Sequence, residues 1–348
     1  MNAKKIIKEW MLPIAMVTGA SIYLIYHALP SLHSAGPFLS YAVSIIQPLL
    51  IFTMLFLTFC RIEPKDLKPH RWHWWLLLIQ GGLFTLLGLL AAGILRWMPG
   101  DTHDSVVLIE SAMLCFICPT ATAAAVVTRK LGGDVAGITT YTVLINMVTA
   151  LIVPLIVPMI QPIAGFTFWQ AFSMIVARIF PLLILPCLAA WLVRYLFPGL
   201  HRSLLGFPDL AFYIWAVALT LAIAVTTRSI VQSDMNTGIL LLMSLISLVC
   251  CVFQFAMGRY IGNRYRPRRF PRSPIVKDAE SDGGKSALER GREIRKITAG
   301  QSLGQKNTVF AIWMGYTFMT PETAIVGGLY SIWHNLYNSW QLYRARKQ

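Results

Sequence analysis

Two short stretches carry residue types out of place in an otherwise apolar chain. The first runs Cys118-Pro119-Thr120-Ala121-Thr122-Ala123-Ala124-Ala125. Proline removes a backbone donor and clashes with the preceding turn, so a helix entering this stretch must break. The small side chains around it let another backbone approach closely. The second runs from Thr298 to Thr308 and includes Gln301, Ser302, Gly304, Gln305, Lys306 and Asn307. It is far too polar to face lipid, and broken backbone at membrane depth survives only where it is buried in protein or lines a wet cavity. Freed backbone groups beside hydroxyls and amides suit the binding of an ion or polar solute. Enzyme chemistry has little to stand on. There is no HExxH, P-loop or GxSxG, and no carboxylate pair at helical spacing within the membrane. Only Glu110 and Glu322 lie clearly near membrane depth. The expectation is a protein that is no enzyme and needs no cofactor.

The surrounding chain is built to cross a bilayer. Of 348 residues, 56% are apolar and 13% charged, about half the charged share usual in a soluble domain. Apolar blocks fall at 9–29, 37–60, 74–96, 105–128, 135–160, 167–196, 207–227, 237–260, 297–317 and 321–343. Each is near the ~20 residues that span a hydrocarbon core. The formal net charge of +15 suggests nucleic acid until its placement is considered. With a cytoplasmic N-terminus, 26 of the 30 cations fall in inner segments, twelve of them in 259–296, whereas Asp101, Asp104 and Asp234 lie outside. This positive-inside pattern accounts for the charge by orientation, puts both termini in the cytoplasm and argues against nucleic acid. It points to a multi-pass protein of the cell (inner or plasma) membrane. The first block is long and reads as a retained helix rather than a leader. The six cysteines sit in or at the ends of apolar blocks and read as small buried hydrophobes.

Ten spans divide into two sets of five of opposite orientation, residues 1–160 and 161–348, as in inverted-repeat transporters. The interrupted segments occupy the fourth place of each set, and paired interruptions are the best sequence pointer to a transport site. The polar stretch 259–296 reads as a basic cytosolic linker that can touch anionic lipid, with a short surface helix over 287–296.

At these two interruptions the chain resembles the bile acid:sodium symporter family. Residues 118–154, CPTATAAAVVTRKLGGDVAGITTYTVLINMVTALIVP, resemble its fourth and fifth helices. Gly304-Gln305-Lys306-Asn307 with Tyr330-Ser331-Ile332-Trp333-His334-Asn335 resembles its ninth and tenth. The resemblance implies an all-α membrane fold of panel and core domains, with broken helices 4 and 9 crossing in the core. It also implies sodium-coupled uptake of a small organic anion. The family's sodium ligands carry over poorly. Thr122 and Ala123 match the motif after Cys-Pro, but Ala124 and Ala125 replace its serine and asparagine. Ile138 stands for a serine, while Thr142 is kept. Ser302 replaces a glutamate and Lys306 a glutamine, while Gly304, Asn307 and the second-site glutamine, Gln80, match.

Sodium wants hard oxygen ligands, preferably with a carboxylate among them. Here the carboxylate is gone and an ammonium stands nearby. A sodium ion within ~4 Å of it would meet several kcal/mol of repulsion at an effective dielectric near 20. The sodium sites are therefore expected to be lost, with no metal held. Lys306 becomes a tethered substitute cation, hydrogen-bonded to Ser302, Thr142 or Asn146. An amine can carry a proton, which leaves proton coupling open. The expected function is alternating-access transport of an organic anion over Gln80, Thr122, Ala125, Thr142, Asn146, Ser302, Gln305, Lys306 and Asn307. The alternatives are a non-transporting sensor or scaffold and a cation/proton antiporter. Plainer readings attach to several residues. Lys306 can snorkel from a helix end, Glu110 can sit on a wet rim, and Glu322 can face a helix N-terminus. Arg178 is an anion candidate, His334 and Asn335 pack, and Trp72, Trp74 and Trp75 with His73 read as an interfacial belt.

Overall fold

A computed structural model describes residues 3–98, 100, 102–207, 210–233, 235–265 and 286–347. The described chain is helical, and its only β pairing is one isolated antiparallel bridge between Thr120 and Lys306. Most of the basic segment, 266–285, with Asp101 and Asp234, lies outside the described residues.

The first half comprises α1 (Ala3–Ala28), α2 (Gly36–Cys60), α3 (Arg71–Trp97), α4 (His103–Ile117), α5 (Ala124–Lys130) and α6 (Val135–Ile160). The second comprises α7 (Phe168–Leu183), α8 (Leu185–Leu196), α9 (Pro198–Leu205), α10 (Leu210–Gln232), α11 (Thr237–Arg264), α12 (Ser286–Gly304), α13 (Thr308–Phe318) and α14 (Ala324–Lys347). Polar residues start several of them. Asp134 accepts from the Ala136 amide to open α6, and Asn236 does the same for α11 from Gly238. Thr167 and Gln170 form a reciprocal capping box on α7.

Among the described residues six stretches are long and apolar enough to cross a membrane: Pro30–Cys60, Arg71–Trp97, Val135–Ile160, Phe168–Leu196, Tyr213–Gln232 and Thr237–Arg264. Large apolar side chains stand outward on them, such as Leu78, Leu86, Leu151, Leu192, Leu241 and Val252. Such a surface is stable only against lipid or a partner. The fourth and ninth sequence blocks are each cut in two, giving α4 with α5 and α12 with α13. The expected surface helix over 287–296 is instead the first part of α12, which runs unbroken to Gly304. It is held against α11, where Glu293 pairs with Arg259 at 3.0 Å, while Glu293 also pairs within α12 with Lys296 at 2.8 Å.

Helices α1, α2, α8 and α10 pack on one another, and α3, α4, α6, α11, α12 and α14 form a second group. Close approach in the second group depends on glycine. A Cβ at Gly258 would lie 2.3 Å from the Ala299 carbonyl oxygen, and one at Gly262 would lie 2.4 Å from that of Arg295. Two glycines four apart thus let α11 lie directly on the backbone of α12. The six cysteines are buried and free.

Candidate functional site

A helix that stops inside a protein leaves its last carbonyls without intrahelical partners. Helix α4 stops at Ile117 because Pro119 follows. Its loose carbonyls are met by side chains from four separate elements. Gln254 of α11 donates to Cys115 O at 3.1 Å. Lys306 Nζ donates to Phe116 O at 3.0 Å. Thr149 of α6 donates to Ile117 O at 3.0 Å. Gln80 of α3 donates to Cys118 O at 2.9 Å and to Ile117 O at 3.4 Å. The break is thus a fully capped helix end, and the burial of its backbone costs little.

The second break is closed the same way. Thr120 Oγ1 donates to Ser302 O at 2.8 Å, and Tyr330 of α14 donates to Gly304 O at 2.8 Å. The breaks then join through their backbones. The Ala121 amide donates to Gln305 O at 3.0 Å, and the Asn307 amide donates to Pro119 O at 2.8 Å. Asn307 also caps α13, its Oδ1 accepting from the Phe310 amide at 3.2 Å. Residues 119–121 and 305–307 therefore form a two-segment patch of paired backbone between four helix ends.

Lys306 is 2% exposed, so it does not snorkel to water. Its ammonium sits on the C-terminal end of α4, where the summed peptide dipoles present about half a negative charge. The expected partners are not the ones it finds. Ser302 Oγ and both side-chain atoms of Asn146 are buried without a hydrogen-bond partner, and Thr142 bonds back to Ile138 O at 2.9 Å on its own helix. Lysine is long enough to reach past these shorter side chains to the orphan carbonyl of Phe116. Gln80, 0% exposed, is committed on both sides, because its Oε1 accepts from Tyr141 Oη at 2.7 Å. Gln305 is buried with Oε1 unpartnered, whereas Thr122 and Ala125 are only partly buried beside the break.

The set of oxygen ligands that the resemblance implies for sodium is incomplete in this chain. The first-site serine and asparagine positions are Ala124 and Ala125, Ile138 is apolar, and Gln80 Oε1 is already taken. Among the described residues no group of three or more His, Cys, Asp or Glu side chains is placed to hold a metal.

Several expectations need correction. Glu110 is no rim residue. It is 0% exposed, and it accepts from the Thr320 amide at 3.0 Å and from Gln161 Nε2 at 2.9 Å, tying α4 to the turn before α14. Trp72 and His73 are buried, His73 facing Gly137 O at 3.0 Å, so only Trp74 and Trp75 stand outward. Arg178 lies on the exposed face of α7, away from the breaks. Glu322, by contrast, keeps its place at the N-terminal end of α14, in the 3-10 turn Pro321–Thr323 that leads into it, with Oε2 unpartnered. Sequence reasoning missed Thr120, Thr149, Gln254 and Tyr330. Gln254, a lone amide in an apolar span, was the detectable signal. The other three are residue types common in packed helices.

A search among curated proteins finds no match for this chain. The family model described as the SBF-like CPA transporter family matches residues 12–344, nearly the whole chain. The protein therefore belongs to that family, as a multi-pass membrane transporter of the bile acid:sodium symporter or cation-antiporter type.

Proposed function

We propose that the chain is a secondary transporter of a small organic anion, working by alternating access without the sodium sites of its relatives. In this reading ten spans form two inverted five-helix repeats. Spans one, two, six and seven make a panel, and the remaining six make a core around the two breaks. The core rocks against the panel and opens the crossing to each side in turn. The observation that carries the proposal is Lys306, fully buried where the breaks meet and bonded to the end of α4. A resident ammonium there supplies the positive charge that a sodium ion would bring. It does so without an ion-loading step, and it adds attraction for an anion at the nearby broken-helix N-termini.

The test is uptake into proteoliposomes of a panel of carboxylates, sulfonates and steroid conjugates, with sodium or choline outside and across a pH series. The proposal expects accumulation that is indifferent to sodium. A strict sodium requirement would reject it. The family's description favours one second reading, cation/proton exchange, in which Lys306 yields its proton to an incoming cation. Acidic-inside vesicles pulsed with sodium or potassium distinguish the two, since only an exchanger would dissipate the pH gradient on the pulse.

A further inference from the structure

Helix α14 carries a polar stripe that the crossing does not use. Tyr330, His334, Asn338 and Gln341 follow one another at spacings of four, four and three, which places them on one helix face. All four are buried, at 2%, 4%, 4% and 8% exposure. The stripe is about 16 Å long at 1.5 Å per residue, the half-thickness of a ~30 Å hydrocarbon core. Its upper end is at the crossing. Tyr330 bonds Gly304 O and, with Lys306 and Thr308 among apolar neighbours such as Leu114, Ala311 and Val326, lines a cavity of about 10 Å³. That is room for about one water. Lower down, Gln301 of α12 donates to Asn338 Oδ1 at 3.0 Å and to Gln341 Oε1 at 2.7 Å.

Four buried polar atoms along this path have no partner: Gln254 Oε1, Gln301 Oε1, His334 Nδ1 and Asn338 Nδ2. Turning the amides does not cure this. Gln301 already spends both hydrogens on two acceptors, and flipping Asn338 would set donor against donor. Buried polar groups are almost always satisfied, by protein or by ordered water. Four orphans, two on the α14 stripe and two facing it from α11 and α12, with space for about one water at the upper end, therefore mark a wet interface.

We infer that ordered waters fill the seam between α11, α12 and α14, forming a half-channel that brings water and protons from the C-terminal end of α14 to Lys306. The titratable groups facing Lys306 at its upper end are Cys115 and Cys118 of α4, Cys250 and Cys251 of α11, and Tyr330 of α14. The channel rests on the reading of Lys306 only for what it serves, since the waters are required by the orphaned amides themselves.

The experiment is hydroxyl-radical footprinting of the full-length protein in nanodiscs by short X-ray pulses, read by mass spectrometry. Radicals made from bound water oxidise adjacent rings. Tyr141, buried with its hydroxyl donating to Gln80 Oε1, is the internal control; Tyr330's hydroxyl is likewise bonded, to Gly304 O and Gln254 Nε2, so a difference between the two reports adjacent water rather than a free hydroxyl. Tyr330 and His334 should oxidise several-fold faster than Tyr141. The variants Asn338→Leu and, separately, Gln301→Leu should bring Tyr330 down toward the control rate. Equal protection of Tyr330, His334 and Tyr141 in the parent would overturn the inference, as would labelling unchanged in both variants. Melting temperature in sodium and in choline, measured on the same samples, reports separately on Lys306. Labelling without sodium indifference leaves the channel standing and removes its proposed purpose. Sodium indifference without labelling does the reverse.

Discussion

Replacing Gln80 with leucine should damage the protein more than replacing both Gln80 and the tyrosine that binds it. Gln80 is wholly buried, donating to Cys118 O and accepting from Tyr141 Oη. Ile117 O keeps Thr149 when Gln80 is removed, but Cys118 O and Tyr141 Oη lose the partners described here. Each stranded buried group costs about 1–3 kcal/mol, so Gln80→Leu should cost about 2–6 kcal/mol. In the double variant Gln80→Leu/Tyr141→Phe the hydroxyl is gone, and only Cys118 O is stranded. It should therefore recover about 1–3 kcal/mol relative to the single variant. At about 2 °C per kcal/mol for a chain of this size, the single variant should melt roughly 4–12 °C below the parent, with the double about 2–6 °C above the single. The assay is thermal unfolding in detergent, run in both sodium and choline. A double variant less stable than Gln80→Leu would refute the capping argument. A Gln80→Leu effect seen only in sodium would show that the residue binds an ion.

Two further perturbations follow from the same geometry. Lys306→Gln and Lys306→Met both remove the charge, but glutamine keeps a donor in reach of Phe116 O. The glutamine variant should thus be the more stable by about 1–3 kcal/mol in detergent unfolding, and equal stability would mean the carbonyl does not need the donor. Gly258→Ala should loosen α11 from α12, since its Cβ would meet the Ala299 carbonyl at 2.3 Å. A loss of about 1–3 kcal/mol is expected, with faster backbone exchange in α12, whereas Gly82→Ala, inside α3 where a Cβ meets nothing, should be neutral or stabilise by up to about 1 kcal/mol.

Much of this organisation was legible in the sequence because it follows from single strong residues. Pro119 dictates the first break, and the polar run around Lys306 marks the second. Glycine and asparagine at 304 and 307 fit a helix end and a new cap. Partner identities were not legible. Which carbonyl Lys306 meets depends on the register between segments 190 residues apart, and composition carries no record of register. The capping of α4 by Gln254 and Thr149 is invisible for the same reason. Glu110 was misread because a carboxylate near a span end usually finds water, and nothing local reveals that Gln161 and Thr320 fold over it. Six spans meet a length-and-apolarity criterion where ten blocks were expected. The first block falls short because its apolar helix is only Pro13–Ala28, the fourth and ninth because they are broken, and the last because α14 devotes a face to Tyr330, His334, Asn338 and Gln341.

The central claim is that a fixed ammonium has displaced the mobile ion. Sodium titration of the purified protein's melting temperature, against choline at constant ionic strength, tests it most directly. The parent should show no sodium-dependent shift, while the triple variant Ala125→Asn/Ser302→Glu/Lys306→Gln should acquire one by mass action. A saturable rise in the parent's melting temperature with sodium would contradict the account.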